Sequence, residues 1–329
     1  MIKENDIRPE KIFKRYLELS EDDAKKHFSN EQRTKINCIA CNSKNILKQF
    51  IKNTFEFYLC NDCGSLYQSP RPSYKAFEKF YTNSVSSSYW AEVFFPSVEK
   101  IRLKKIIKPR AKKLSNILKS MSFKPKFISD VGAGHGSFLN EIVLSFEGSK
   151  GIAIEPSKKM ANSCREKKFT VYEDLLENID EKKLNACLTC SLEVFEHVHN
   201  PINFLKKKAS ITRKGGWVFF TTLGVDGFDI QTLWEKSNSI YPPHHLNFLS
   251  VRGFNEICKR AGLSNIKVLT PGVLDTDIVI NKLKDIPEYL EKNRFIKHIL
   301  NDKNRSKKFQ NFLSNNLMSS HTWVLAQKL

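Results

Sequence analysis

The sequence predicts an α/β chain: a mostly parallel sheet bearing a nucleotide-type loop, preceded by a small cysteine-bearing domain. Three observations predict it. Cys38-Ile-Ala-Cys41 and Cys60-Asn-Asp-Cys63 are paired knuckles separated by an 18-residue gap. Residues 127–155 run strand, glycine loop, helix, strand, acid. Beyond them, strand-length apolar runs alternate with helical spacing as far as a final T-W-V-L-A-Q-K.

At 329 residues the chain can hold one large domain or two ordinary ones, each with a real core. Its 40% hydrophobic content excludes a disordered protein. No window holds 18 consecutive apolar residues, so no transmembrane segment is expected. The opening M-I-K-E-N-D-I-R-P-E has no apolar h-region, which predicts a cytoplasmic protein. The net charge of +19 invites a nucleic-acid reading. Its placement weakens that reading. Ten basic residues and no acid lie between 101 and 126, and ten basic against four acidic lie from 281 to the end. The remaining chain is close to neutral.

Residues 1–35 form an N-terminal helical segment, followed by a zinc ribbon at 36–72. A C-x-x-C turn points two thiolates at one ion, and two such turns on neighbouring hairpins close a tetrahedral zinc site with no position left for water. Cys38, Cys41, Cys60 and Cys63 are its ligands. Between them I-L-K-Q-F-I-K and F-E-F-Y-L read as strands, and Gly64 supplies permissive backbone after the second knuckle. Cys187 and Cys190 repeat the spacing inside an apolar strand-length run. Residues three apart on a strand face opposite ways, so these are core thiols, as are Cys164 and Cys258. Residues 73–124 form a helical connector after the break Ser69-Pro70-Arg71-Pro72. It is rich in aromatics (Phe77, Phe80, Tyr81, Tyr89, Trp90, Phe94, Phe95), and Pro109 is expected to kink or divide its second half. The Lys/Arg run reads as the solvated face of that helix.

Residues 125–329 are the catalytic domain. Strand 127–131 ends in D-V-G-A-G-H-G, a helix spans 137–146, and strand 151–154 closes on Glu155. Gly132, Gly134 and Gly136 let the backbone approach a ligand closely. Glu155 follows Gly134 by 21 residues at a strand end, where it can accept both hydroxyls of a ribose. A dinucleotide site wants G-x-G-x-x-G; here the third glycine comes early and Asp130 precedes the loop. An acidic loop suits a sulfonium and an amino-acid ammonium better than a pyrophosphate, which leaves hydride transfer a distant alternative. Further strands follow at 169–172, 184–192, 217–222 and 265–269, with helices at 201–211 and 250–261 and a turn at 213–216. A helical insertion spans about 274–317, and the last strand is antiparallel.

D-V-G-A-G-H-G with Glu155 resembles motif I of the class I S-adenosylmethionine-dependent methyltransferases, and R-K-G-G-W-V-F-F-T-T resembles their "L-K-P-G-G" segment with Lys214 for proline. The resemblance covers about 200 residues. It implies a Rossmann-like seven-stranded sheet with S-adenosylmethionine held by Asp130, Gly132, Ala133, Gly134, Gly136 and Glu155. Asp174 (or Glu173) meets the adenine amine, and Ser191 and Leu192 lie beside the cofactor. After strand four comes Glu193-Val194-Phe195-Glu196-His197-Val198-His199, placed at the reacting methyl because ligands sit at the carboxyl ends of parallel strands. E-x-x-E-H resembles segments of ubiquinone-biosynthesis O-methyltransferases and of small-RNA 2′-O-methyltransferases, in which acids and His hold a divalent ion. Glu193, Glu196, His197 and His244 are the corresponding set here, with Mg²⁺ as the implied ion. The alternative is imidazole base catalysis by His197 or His245, with Glu193 alongside. His199 is expected in solvent.

The ribbon, P-R-P, E-H-V-x-x-P and H-H-L-N-F-L-S together resemble bacterial methyltransferases associated with surface-polysaccharide and sugar biosynthesis. That resemblance implies a small-molecule, sugar-like acceptor. The alternative is an RNA methyltransferase that grips its substrate with the ribbon and the basic helix, and a non-enzymatic ribbon module is the third reading. The basic segments also suit an anionic partner, a phosphate-bearing sugar or a peripherally contacted membrane surface.

Overall fold

Thirteen strands build three sheets in the computed structural model, which describes residues 2–329 apart from the side chains of residues 183, 290 and 291. They are β1 (Arg33–Thr34), β2 (Ile46–Lys52), β3 (Phe55–Cys60), β4 (Leu66–Gln68), β5 (Arg71–Pro72), β6 (Phe127–Val131), β7 (Lys150–Ile154), β8 (Thr170–Tyr172), β9 (Ala186–Leu192), β10 (Thr212–Leu223), β11 (Asn247–Phe248), β12 (Leu263–Leu269) and β13 (His321–Lys328). The chain divides into two units. The first runs up to Val98 and takes in Leu223–Phe254 and Val268–Trp323; the second is Glu99–Thr222, Asn255–Lys267 and Val324–Leu329.

The first unit is organised by a four-stranded antiparallel sheet in the order β11-β4-β3-β2. The hairpin β2–β3 turns through Asn53 and Thr54, both at positive φ, and its register slips between Lys48 and Phe50. The fourth strand comes from far along the chain: Asn247 pairs with Tyr67 and Phe248 with Leu66. Segment 223–254, which the sequence groups with the catalytic sheet, therefore packs with the ribbon. The amphipathic helix Glu10–Phe28 buries Phe13, Tyr16, Leu19, Ala24 and Phe28 at three- to five-residue spacing. Phe28, Phe55, Phe57, Phe80 and Phe248 meet in one fully buried cluster. The expected insertion is helical, Asp275–Leu283 through Lys303–Asn315. Its Ile278, Val279 and Leu283 pack on Leu233.

The second unit carries the seven-stranded sheet in the order β12-β13-β10-β9-β6-β7-β8, with the last strand antiparallel. β6 pairs in parallel with both β7 and β9, and β9 with β10. Long apolar runs suit strands covered on both faces, and Ile128, Ile154, Leu188 and Phe220 are buried accordingly.

Three local expectations need correction. The R-K-G-G turn does not stand apart from its strand: β10 runs through it, with a register break between Thr212 and Trp217. Pro109 does not divide the basic helix. A π turn at Leu103–Ile107 leads into helix Lys108–Ser120, and the proline sits in that helix's first turn. The wider turn absorbs the missing N–H. His199 is half-buried rather than in solvent.

Candidate active site

The cradle of the second unit forms where β6 and β7 end. Gly132, Gly134 and Gly136 all take positive φ, which keeps the loop tight between β6 and helix Ser137–Leu144. They differ in surroundings. A Cβ on Gly134 would meet nothing within 4 Å, whereas one on Gly136 would lie 3.0 Å from Cys164 Sγ and 3.2 Å from Phe169 Cε2. Space over Gly134 is open; space over Gly136 is taken by the protein.

Glu155, buried at the end of β7, accepts the Gly134 N–H on Oε2 (2.8 Å) and the Ser157 N–H on Oε1 (2.9 Å). Each oxygen keeps one lone pair for a further donor. Burial raises the Glu155 pKa against the pull of those two amides. Asp130 is buried at the end of β6, and its Oδ1 has no hydrogen-bond partner. Burial pushes its pKa up to about 7, with Lys208 opposing and Glu155 adding to the rise. Open space over a glycine, a buried carboxylate oxygen awaiting a donor and a strand-end acid with spare lone pairs fit a ribose and an amino-acid ammonium. Asp174 is exposed and accepts from its neighbours, the Leu175 N–H and Asn178 Nδ2 (both 2.7 Å). Glu173 pairs with Arg165 at 2.8 Å.

At the end of β9, Ser191 is buried and Leu192 half-buried. Glu193 takes φ +54, a strained value for a side-chain-bearing residue. Two groups hold it there: Thr221 Oγ1 and Arg110 Nη1 both donate to Oε1, at 2.6 and 3.2 Å. Glu196 lies in the turn Phe195–His197, is buried, and accepts from Thr222 Oγ1 at 2.9 Å. Burial and the charge of Glu193 push its pKa up to about 8. His197 is half-buried in the same turn. Arg110 escaped the sequence reading because it sits in the basic run and lies 83 residues from the acid it holds.

The two histidines of the H-H-L-N-F segment belong to the first unit. His245 is buried, and its Nδ1 donates to the Ser239 carbonyl at 2.7 Å. A carbonyl only accepts, so Nδ1 carries the proton of the neutral ring and Nε2 is its basic nitrogen. His244 lies among Tyr16, Phe80, Tyr81 and Tyr241, with Nε2 3.0 Å from Ser86 Oγ.

The four knuckle cysteines come together. Cys38 and Cys63 sulfurs lie 3.5 Å apart, Cys41 and Cys60 3.6 Å, and all four sulfurs fall within 4.8 Å of one another. A tetrahedron with Zn–S bonds of about 2.3 Å has edges of about 3.8 Å, so the donor set fits zinc in chemistry and size. The two knuckles repeat one backbone: the Asn42 N–H bonds the Cys38 carbonyl and the Gly64 N–H the Cys60 carbonyl, at φ +66 and +77. Asparagine is among the side chains that best tolerate that region. The Cys38 thiol holds Cys63 down to about 5, while the bond to Cys63 and burial push Cys38 up. The cluster thus favours at least one thiolate.

The seven-stranded sheet and its glycine loop define a class I S-adenosylmethionine-dependent methyltransferase fold. Residues 104–268 match the family described as "Methyltransferase domain", and the chain belongs to it. A tRNA U34 carboxymethyltransferase of Campylobacter lari is 30% identical over 167 residues, 47% of this chain and 56% of that protein. A mitochondrial ubiquinone biosynthesis O-methyltransferase of Dictyostelium discoideum is 28% identical over 114 residues, 29% of this chain and 35% of that protein. The chain thus spans about half or less of the length of these curated relatives. Among solved structures, one described as a possible histamine N-methyltransferase from Thermotoga maritima aligns at 16% identity and TM-score 0.47, covering 73% of this chain and 98% of that one. Among the described residues, no helix is long and apolar enough to cross a membrane.

Proposed function

We propose that the chain methylates a hydroxyl of a small, sugar-like acceptor, and that Cys38, Cys41, Cys60 and Cys63 hold a structural zinc ion. S-adenosylmethionine, when bound, supplies a methyl group already activated on a sulfonium, so the protein needs to take one proton from the acceptor. Asp130, Glu155 and the glycine loop bind and orient the cofactor in this reading. His245 and His197 are the acid–base candidates. The observation that carries the reading is the His245 Nδ1 bond to Ser239, which leaves Nε2 as the basic nitrogen of the neutral ring. Glu193 positions the strand end through Arg110 and Thr221 rather than acting as a base.

An RNA acceptor is the second reading. It is favoured by the tRNA named for one relative and by exposed Lys104, Lys105, Lys112, Lys113 and Lys119. The aromatic packing supports the small acceptor instead. Trp90 stacks on Phe94 at 4.2 Å and meets Tyr16 at 4.9 Å, so it is spent on protein contacts rather than offered to bases.

The test is S-adenosylhomocysteine release in 150 mM salt with a panel of nucleotide sugars and monosaccharides beside unmodified total tRNA. Turnover on a sugar is expected, falling about 10²-fold in His245→Ala at unchanged cofactor affinity. Label transfer to RNA with none on the sugars overturns the acceptor, and full activity in the variant overturns the base.

A further inference from the structure

We infer that Lys208 is a positioning residue of the cofactor site: its buried ammonium, anchored at the end of β9, holds Asp130 as the anion that receives the amino-acid ammonium of the cofactor. This rests on the reading that Asp130 faces that ammonium, and it is independent of the acceptor.

Lys208 lies on helix Pro201–Ile211 and is fully buried, an uncommon fate for a lysine. It is anchored at both ends. Its carbonyl accepts from Thr212 Oγ1 at 2.7 Å, and Thr212 Oγ1 lies 2.6 Å from Thr189 Oγ1. Its Nζ donates to Ser191 Oγ at 2.6 Å and to the Phe219 carbonyl at 2.9 Å, so it ties β9 to β10. The rings of Phe204 and Phe220 lie 5.7 and 5.5 Å from Nζ, a setting that favours a cation. Both acceptors are neutral, and a buried ammonium without a counter-charge is costly.

The groups acting electrostatically on Lys208 are Cys190, Asp130 and Cys258, and Asp130 alone of these is a carboxylate. Sheet register puts Asp130 directly beside Cys190, the residue before Ser191. Asp130 in turn feels Lys208 and Glu155, and its charge acts on Cys164 and Cys190. Glu155 is acted on by His135. Lys208 is therefore the cation acting on a carboxylate whose Oδ1 has no hydrogen-bond partner. Burial drives Lys208 down to about 7 and Asp130 up to about 7, and each favours the charged form of the other. Without the lysine, Asp130 takes up a proton and meets an incoming ammonium as a neutral acid. One unit of upward shift in an acid already half protonated costs several-fold in ionised fraction, and two units cost tens of fold.

The experiment is calorimetric titration with S-adenosylhomocysteine from pH 6 to 9.5 on the full chain. Lys208→Met is expected to bind at least about tenfold more weakly than wild type at pH 7 and to regain most of the loss by pH 9.5. Asp130→Asn is expected to be equally weak and insensitive to pH. The double variant should be no weaker than either. No effect of Asp130→Asn overturns the cofactor placement. Weakened Asp130→Asn beside a normal or pH-insensitively weakened Lys208→Met, or losses that add in the double variant, overturns the role of Lys208 and leaves the cofactor placement standing. Should Lys208→Met fail to fold, Ser191→Ala removes one anchor and keeps the charge. It should weaken binding about threefold at pH 7 with the deficit closing by pH 9.5, and a deficit constant with pH overturns the inference.

Discussion

Two glycines two residues apart should fail in different ways when each becomes alanine. Gly134 and Gly136 both take positive φ, +55 and +70, so each substitution incurs about 1–2 kcal/mol of backbone strain. At Gly134 nothing more is lost in the empty protein, because the new Cβ meets no atom within 4 Å and the N–H that Glu155 accepts is retained. At Gly136 the Cβ also presses on the buried Cys164 Sγ of helix Lys158–Glu166 and on the half-buried Phe169 ring, adding about 1–3 kcal/mol of overpacking. For a chain of this size about 2 °C of Tm follows each kcal/mol. Gly134→Ala should therefore melt about 2–4 °C below wild type and Gly136→Ala about 4–10 °C below.

Ligand binding should reverse the ranking. In the proposed reading the cofactor occupies the open space above Gly134, so Gly134→Ala should lose at least about tenfold in S-adenosylhomocysteine affinity, or about 1.4 kcal/mol. Saturating ligand at about 100 times Kd should raise the wild-type Tm by roughly 5 °C, since that occupancy is worth about 2.7 kcal/mol. At the same concentration a tenfold weaker Gly134→Ala should gain only about 1.4 kcal/mol, or about 3 °C. The assays are thermal unfolding with and without S-adenosylhomocysteine, and calorimetric titration. If Gly134→Ala binds like wild type, or melts as low as Gly136→Ala, the distinction between ligand space and protein space is wrong.

Two further predictions concern the first unit. Freshly purified protein should hold one zinc ion per chain by elemental analysis, and Cys38→Ser or a strong chelator should lower its Tm by an amount corresponding to several kcal/mol. Less than one ion per chain refutes the site. Asp229, buried on helix Phe228–Leu233, is pushed up to about 8 by burial and by the charge of Asp275. A folded carboxyl that holds its proton more tightly than the unfolded one stabilises most below about pH 4, and loses that contribution as pH rises through about 8. Denaturant unfolding should therefore show wild-type stability declining from pH 5 to pH 8.5 by roughly a few kcal/mol, with a flatter profile in Asp229→Asn. Parallel profiles would show that the proton is not bound there.

What the sequence made legible was local. The glycine loop, β6 and helix Pro201–Ile211 could be placed to within a residue or two, because period, glycine and proline act on the chain within a few positions. The cysteine knuckles were equally plain. What stayed hidden depends on partners far away in the chain. Nothing near Glu193 announces that Arg110 and Thr221 hold it. A lysine inside Leu205-Lys206-Lys207-Lys208 looks like solvated charge, yet Lys206 is exposed and Lys208 is fully buried two residues on. β11 is two residues long, too short for any alternation, and exists because β4 offers an edge to pair with.

That last strand changes what the ribbon is for. Lys52 at the hairpin tip donates to the carbonyls of Glu235 (2.9 Å) and Ser237 (2.7 Å), and Asn53 donates to that of Pro242 (3.1 Å). Arg71 of the P-R-P segment, fully enclosed, donates to Asn247 Oδ1 at 2.9 Å. At the cysteine end, Ser65 Oγ accepts the Ser250 N–H, Ser250 Oγ donates to the Cys63 carbonyl, and Gly253 fits because a Cβ there would lie 2.0 Å from Ser65 Oγ. The stretch from 235 to 253 thus has its polar groups satisfied by the ribbon at both ends and along one strand, and His244 and His245 lie within it. A bond from a charged donor such as Lys52 contributes about 1.5–3 kcal/mol, and an abandoned buried carbonyl costs a similar amount. Without the ribbon, that stretch loses the partners that fix its backbone and the Ser239 carbonyl loses its fixed position opposite His245 Nδ1. The C-x-x-C pairs, P-R-P and H-H-L-N-F-L-S are therefore one structural object. Within the first unit, the cysteine-bearing hairpins support the backbone of the histidine-bearing segment.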